Sequence, residues 1–372
     1  MKQKLMKESN DYKGVIAQPP KSVELQLTYC CNLRCYMCGQ WGPKGIFRNS
    51  ISTLRKQEIG TDKWLKVIDM AAEWKSRINL WGGEPFLRKD IFKIINYIKS
   101  KELICSVVTN GVLIERYYRE IIESQVDKIF LSIDGTEEIH DKIRGRHGIF
   151  KKVHRGMEKL SDFKKKKGTE KPFIEMLFTI SKYNFKIIEE MINVGKGLGC
   201  NRVQLSALMY TTQKQCDKYI REYFGRFGCK PNSQKGWIVK NTGVEGKELD
   251  KKIEHISSRN YGSFVRISDC FNRIPPSYWY KDAGETFGYN QCLSPWLRLN
   301  IMPDGKANFC VDFPDYIIGD VNNESLSEIW NNEKARIFRK KYLKLGPLPI
   351  CNRCCWLYSD YDRLINEWKY EG

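Results

Sequence analysis

The stretch Thr28–Gly39 reads TYCCNLRCYMCG and crowds four cysteines between positions 30 and 38. Grouped thiols of this kind serve a disulfide, a zinc site or an iron–sulfur cluster. The spacing Cys31-x3-Cys35-x2-Cys38 puts three thiolates on one loop, with Cys30 pointing away if the chain is extended there. A structural zinc site usually draws four ligands in two CxxC-like pairs. No histidine is near in sequence, since His140, His147, His154 and His255 all lie far downstream. Three thiolates suit a [4Fe–4S] cube that leaves one iron open, so the spacing favours a cluster over zinc.

The rest of the chain supports that choice. Its 14 cysteines gather again near the C-terminus, at Cys292, Cys310, Cys351, Cys354 and Cys355, while Cys105, Cys200, Cys216, Cys229 and Cys270 stand singly. At 372 residues the chain can bury one large core and a smaller second module. No apolar run reaches the length of a membrane span, and MKQKLMKESNDYKG lacks the apolar stretch of a secretory signal. The expectation is a cytoplasmic protein in which grouped thiols bind metal, not one another. The formal net charge of +19 favours anionic partners, although the basic residues are scattered and the run Lys164–Lys167 reads as a solvated helix end.

From residue 22 to 209, short apolar runs alternate with amphipathic ones. Strands are expected at 23–29, 77–83, 104–111, 127–135, 173–180 and 202–209, several without strict alternation, as for strands buried on both faces. Between them, Trp64, Val67, Ile68 and Ala71, and then Ile91, Ile94, Ile95 and Ile98, keep helical spacing, with Asp90 placed as a cap. This repetition predicts an α/β fold with a parallel sheet and outer helices. The cysteine loop, WGGEP, TNG and SIDG follow successive strands, so all four are expected at one mouth, the C-terminal strand edge. Farther on, LRLNIMPDGKANFC reads as a hairpin around the turn at 303–305, and ESLSEIWNNEKARIFRKKYL as one helix with Leu326, Ile329 and Trp330 on one side. The aromatic run Tyr278–Trp279–Tyr280 serves either as a lid or as packing between modules.

Taken together, CNLRCYMC after a first strand, WGGEP at 81–85 and SIDG with DKIRG at 132–145 resemble the radical S-adenosylmethionine (SAM) enzymes, in their SPASM/Twitch branch. The resemblance implies a partial (β/α)6 radical SAM barrel with a small C-terminal Twitch/SPASM-like auxiliary iron–sulfur domain. It divides the chain into a lead-in (1–21), the barrel (22–209), a bridging region with a lid role open (210–290), the auxiliary domain (291–358) and a tail (359–372). It implies that Cys31, Cys35 and Cys38 hold a [4Fe–4S] cluster whose open iron binds SAM. Met37, Gly82, Gly83, Glu84, Pro85, Asn110, Ser132 and Arg144 are then the expected SAM-site residues, with Glu84 facing the ammonium group and Arg144 the carboxylate. Cys292, Cys310, Cys351 and Cys354 resemble the Twitch ligands of one auxiliary [4Fe–4S] cluster, and Cys355 could replace Cys354.

The implied chemistry is reductive cleavage of SAM to a 5′-deoxyadenosyl radical that abstracts a substrate hydrogen atom, with the protein supplying placement and exclusion of water. A fully ligated auxiliary cluster points to electron transfer, hence to an oxidoreductase acting on a small polar, anionic substrate. An external donor such as flavodoxin or ferredoxin is implied; a membrane partner is not, and nucleic acid is disfavoured. One alternative is a peptide-modifying maturase, forming a crosslink or using Cys216, Cys229 or Cys270 as hydrogen donor in an epimerisation. The short segment before the first strand counts against it. The other alternative is a zinc-containing nucleic-acid-binding protein.

Overall fold

The computed structural model describes residues 14–370, so the lead-in expected at 1–21 lies largely outside the described residues. Six strands run parallel in chain order: β1 (Ser22–Gln26), β2 (Arg77–Trp81), β3 (Cys105–Thr109), β4 (Lys128–Ser132), β5 (Phe173–Ile180) and β6 (Arg202–Ala207). A seventh, β7 (Val265–Ile267), continues the sheet in parallel beyond β6. Helices lie between the strands, among them Thr61–Glu73, Ile91–Ser100, Ile114–Glu123 and Ile149–Lys167. The expected apolar positions of the first two are all buried. Asp90 does sit at the N-cap of Ile91–Ser100, yet its carboxylate makes no cap bond. It accepts from Arg88 and Thr61 instead, because a guanidinium two residues away is the stronger donor.

Strict alternation proves to be the rule in these strands. Val23, Leu25, Ile78, Leu80, Ile129, Leu131, Ile174, Met176, Val203 and Leu205 pack outward into the helical core. The intervening Ser22, Glu24, Arg77, Asn79, Lys128, Glu175 and Gln204 line a chamber of about 350 Å³ inside the curved sheet. Its charges are paired: Lys128 Nζ lies 3.0 Å from Glu175, and Arg298 Nη2 lies 2.9 Å from Glu24. The strands are buried on both faces as expected, but one face is polar, which residue counts alone do not reveal.

The hairpin also forms, as β8 (Arg298–Ile301) and β9 (Lys306–Asn308), with Gly305 at φ +89° in its turn. It is built into the main sheet: β8 runs parallel to β1, with Ser22 opposite Arg298, and β10 (Gly319–Asp320) pairs with β9 at the edge. The long helix expected after it is two helices, Leu326–Trp330 and Glu333–Leu345. Asn332 breaks the run, accepting from the Ala335 amide as N-cap of the second helix. Leu326, Ile329 and Trp330 are buried. Trp279 and Tyr280 pack on the ends of β5 and β6, where Tyr280 Oη donates to the Ile180 carbonyl and Trp279 Nε1 to that of Leu208. Only Tyr278 of that trio is exposed. Lys164–Lys167 form the last turn of a helix closed by Gly168, where cations suit the helix dipole; Lys165, Lys166 and Lys167 are exposed, while Lys164 is half-buried and donates to the Pro172 carbonyl.

Asn332→Ala should lower stability by about 1 kcal/mol through the lost cap, read as a lower thermal midpoint. Asn332→Asp keeps the acceptor but sets an oxygen against the Ile318 carbonyl, to which Asn332 Nδ2 donates at 2.7 Å, so it should recover only part of the loss.

Candidate functional site

The cysteine loop is fixed to the barrel by backbone bonds. The β1–β2 ladder continues past both strands: Leu27 N–H donates to Trp81 O, Gly83 N–H to Thr28 O and Glu84 N–H to Cys30 O, each at 2.8 Å. A Cβ on Gly83 would lie 2.0 Å from the Cys30 carbonyl oxygen, and one on Gly82, at φ +153°, 2.6 Å from that of Thr28. The glycine pair is thus required for close approach of the cysteine loop itself. On the other side, Tyr36 N–H donates to Ile143 O, and a Cβ on Gly145 would meet Arg34 O at 2.7 Å. Gly145, at φ +72°, ends the helix Glu137–Arg144 in the left-handed conformation.

These restraints bring Cys31, Cys35 and Cys38 to one cavity of about 340 Å³, lined also by Met37, Gly82, Gly83, Asn110, Ser132 and Arg144. The four strand-end motifs do meet at one mouth. Cys30 is not part of the lining, and its carbonyl is the anchor for Glu84. Burial pushes the Cys31 thiol up to about 12 and raises that of Cys35, so both need a metal or cluster to hold them as thiolates. Amides already point at the sulfurs, Leu33 N–H at Cys31 Sγ (3.4 Å) and Trp41 N–H at Cys38 Sγ (3.3 Å).

Arg144 is half-buried, with one guanidinium nitrogen 2.5 Å from Asp134 Oδ2 and another 3.7 Å from Cys35 Sγ. Burial disfavours its charge, but Asp134 and the Cys35 sulfur more than offset that, and it stays a cation. Asp134, the aspartate of SIDG, also accepts from the Thr179 amide. Its role in orienting Arg144 had no signal in spacing. Trp237, from the region without motifs, lines the cavity too, its ring where a Gly39 side chain would be.

Glu84 lies behind the cavity wall. Its carboxylate is fully buried and outside the cavity lining. It accepts from Thr109 Oγ1 and the Asn110 amide, each at 2.8 Å, and from the Phe86 amide at 3.2 Å. A buried carboxylate takes the nearest donors, so Glu84 fixes the TNG turn and leaves the cavity wall to Gly82, Gly83 and Asn110. Pro85, buried at the start of the short turn Pro85–Leu87, is likewise absent from the wall.

At the other cluster candidate, Cys292, Cys310, Cys351 and Cys354 line a buried cavity of about 70 Å³. Cys355 faces the other way, its Sγ 3.5 Å from the Ala207 carbonyl in the barrel chamber. The cause is local: Cys354 is extended, and successive side chains of an extended chain point oppositely. None of the fourteen cysteines is in a disulfide.

This geometry defines a barrel enzyme with a three-thiol site at its mouth and a four-thiol site beside it. The radical SAM superfamily matches residues 25–193, and an iron–sulfur cluster-binding domain, SPASM, matches residues 292–355. AdoMet-dependent heme synthase of Methanosarcina barkeri is 33% identical over 86% of this chain and 84% of its own length. PqqA peptide cyclase of Granulibacter bethesdensis is 24% identical over 91% and 80%. The chain belongs to the radical SAM superfamily and carries a C-terminal SPASM domain. Among solved structures, Streptococcus suis SuiB bound to S-adenosylmethionine aligns with a TM-score of 0.59 at 15% identity, covering 86% of this chain and 68% of that one. The anSMEcpe structure with bound AdoMet aligns at 0.58 and 17% identity, covering 94% and 96%. Both share the fold. The cofactors are a [4Fe–4S] cluster with SAM, plus auxiliary iron–sulfur at the SPASM domain. No helix among the described residues is long and apolar enough to cross a membrane.

Substituting Cys30 by alanine should leave iron content unchanged, while Cys31→Ala, Cys35→Ala or Cys38→Ala should remove one cluster's worth of iron. Glu84 supplies a pH test. Its folded carboxyl is pushed up by burial from 4.5 to about 7, so folding favours the protonated form and stability should fall as pH rises through that window. Glu84→Gln should flatten this part of the stability profile, followed by thermal melts.

Proposed function

We propose that the chain oxidises a C–H bond of a small polar, anionic substrate, with Cys31, Cys35 and Cys38 holding the SAM-binding cluster and Cys292, Cys310, Cys351 and Cys354 holding one auxiliary cluster. When bound, SAM and the first cluster supply the hydrogen-abstracting radical, and the second cluster supplies a one-electron acceptor. The observation that carries this reading is the second cavity. Its four thiols, ringed by Phe309, Tyr342 and Trp356, would ligate every iron of a [4Fe–4S] cluster and leave none open to a substrate. Arg144, held by Asp134, is the cation that fits the SAM carboxylate, and Asn110 and Ser132 are the polar groups on the same wall. The anionic preference rests on the net charge of +19. An acidic one-electron carrier of the flavodoxin or ferredoxin kind suits the exposed cluster loop, where Arg34, Tyr36 and Lys142 face solvent.

Peptide modification is the second reading, favoured by the kinship to PqqA peptide cyclase. Of the three cysteines considered as hydrogen donors, Cys229 is exposed and Cys216 is buried away from the barrel chamber. Cys270 is buried in hydrogen-bonding contact with Cys355, which lines the chamber.

Anaerobic reduction with SAM should release 5′-deoxyadenosine faster when an anionic substrate candidate is present. Acceleration only by peptides would favour the second reading. Cys354→Ala should lower the iron content by one cluster and Cys355→Ala should not; the reverse pattern would exchange their roles.

A further inference from the structure

The auxiliary-site cavity and the barrel chamber share a wall, and Arg298 and Trp356 line both. The guanidinium stacks on the Trp356 indole, 3.8 Å from the ring centre. On its chamber side it grips Glu24 in a bidentate pair, Nε to Oε1 at 3.0 Å and Nη2 to Oε2 at 2.9 Å. Glu24 accepts two further bonds, from Ser22 Oγ and Asn79 Nδ2, each at 2.7 Å. The carboxylate lines the barrel chamber but not the four-cysteine cavity. Within the lining of that cavity, Arg298 is the single basic side chain and Asp312 the single acidic one.

We infer that the Arg298–Glu24 pair is a fixed dipole, cation toward the auxiliary cluster, that raises the reduction potential of that cluster. The inference rests on the reading that Cys292, Cys310, Cys351 and Cys354 are the ligands. Reduction adds one negative charge to a cluster, and a cation held in the same low-dielectric cavity stabilises the reduced state. Glu24 cancels only part of this, since it lies behind the guanidinium on the chamber side. Four hydrogen bonds to the carboxylate and the indole stack fix the orientation, so the field is set before any electron arrives. Arg298 is therefore a positioning and tuning residue, sited in the wall between the chamber and the second cluster cavity.

The test is a potentiometric titration of the protein carrying both clusters, followed by electron paramagnetic resonance. The signal that SAM perturbs belongs to the first cluster, and the other is followed. Arg298→Gln should shift the auxiliary midpoint to more negative values and Glu24→Gln to more positive ones, with Arg298→Lys close to wild type. The double variant E24Q/R298Q buries no lone charge and remains informative if a single variant fails to fold. It should lie below wild type, and by less than Arg298→Gln where that variant folds. Single variants that move together or stay still, or a double variant at or above wild type, would overturn the inference. A wild-type iron content of one cluster would overturn the ligand reading as well, which separates the two failures.

Discussion

The first strand is the member on which both cofactor sites depend. β1 is flanked in parallel by β2 on one side and β8 on the other, and its C-terminal end becomes the three-cysteine loop. Glu24, at its centre, is bonded to Arg298 of β8 and to Asn79 of β2, so one buried carboxylate ties three strands together. A buried ion pair of this sort adds little net stability against an apolar substitute, but removing one partner costs about 3–5 kcal/mol. What the pair secures is register. A one-residue slip of β8 against β1 would turn Arg298 from the polar chamber into the helical core, where it has no partner. The carboxylate thus helps set where the SPASM segment stands relative to the barrel mouth.

A second constraint acts at that mouth. Glycines at 82, 83 and 145 are needed because the cysteine loop is wedged between two other backbones, with bonds to Thr28 and Cys30 on one side and from Tyr36 on the other. A loop of three thiols with free backbone could take many arrangements. Here both flanks are hydrogen-bonded, so the thiols are preorganised before any iron binds, and little ordering remains to be done on cluster insertion.

Much of this was legible in the residues. The three-cysteine spacing, the order of strand-end motifs and the periodicity of the helices each rest on local chemistry, and each found its place. What was not legible depends on contacts between distant segments. The polar face of the strands could not be assigned from their composition, because whether Glu24 or Lys128 faces water, a helix or an interior chamber is decided by sheet curvature. The role of Asp134 depends on Arg144 reaching it from the following helix. The break at Asn331 and Asn332 was in fact visible, since asparagine is a preferred N-cap; the apolar spacing on either side masked it.

Glu84 shows how a motif residue can organise a site from behind its wall. At complete burial its carboxylate needs several donors at all times, including when no ligand is bound. Thr109, Asn110 and Phe86 provide them, and the glycines beside Glu84 are spent on backbone contact with the cysteine loop. The WGGEP segment is therefore a scaffold that aligns three strand ends. The polar wall left to a ligand consists of groups it has put in position, with Asn110 held from below by Glu84 and Arg144 held from the side by Asp134. Both supporting groups are buried carboxylates whose charge or protonation is governed by the barrel, so the character of the mouth is fixed from beneath it.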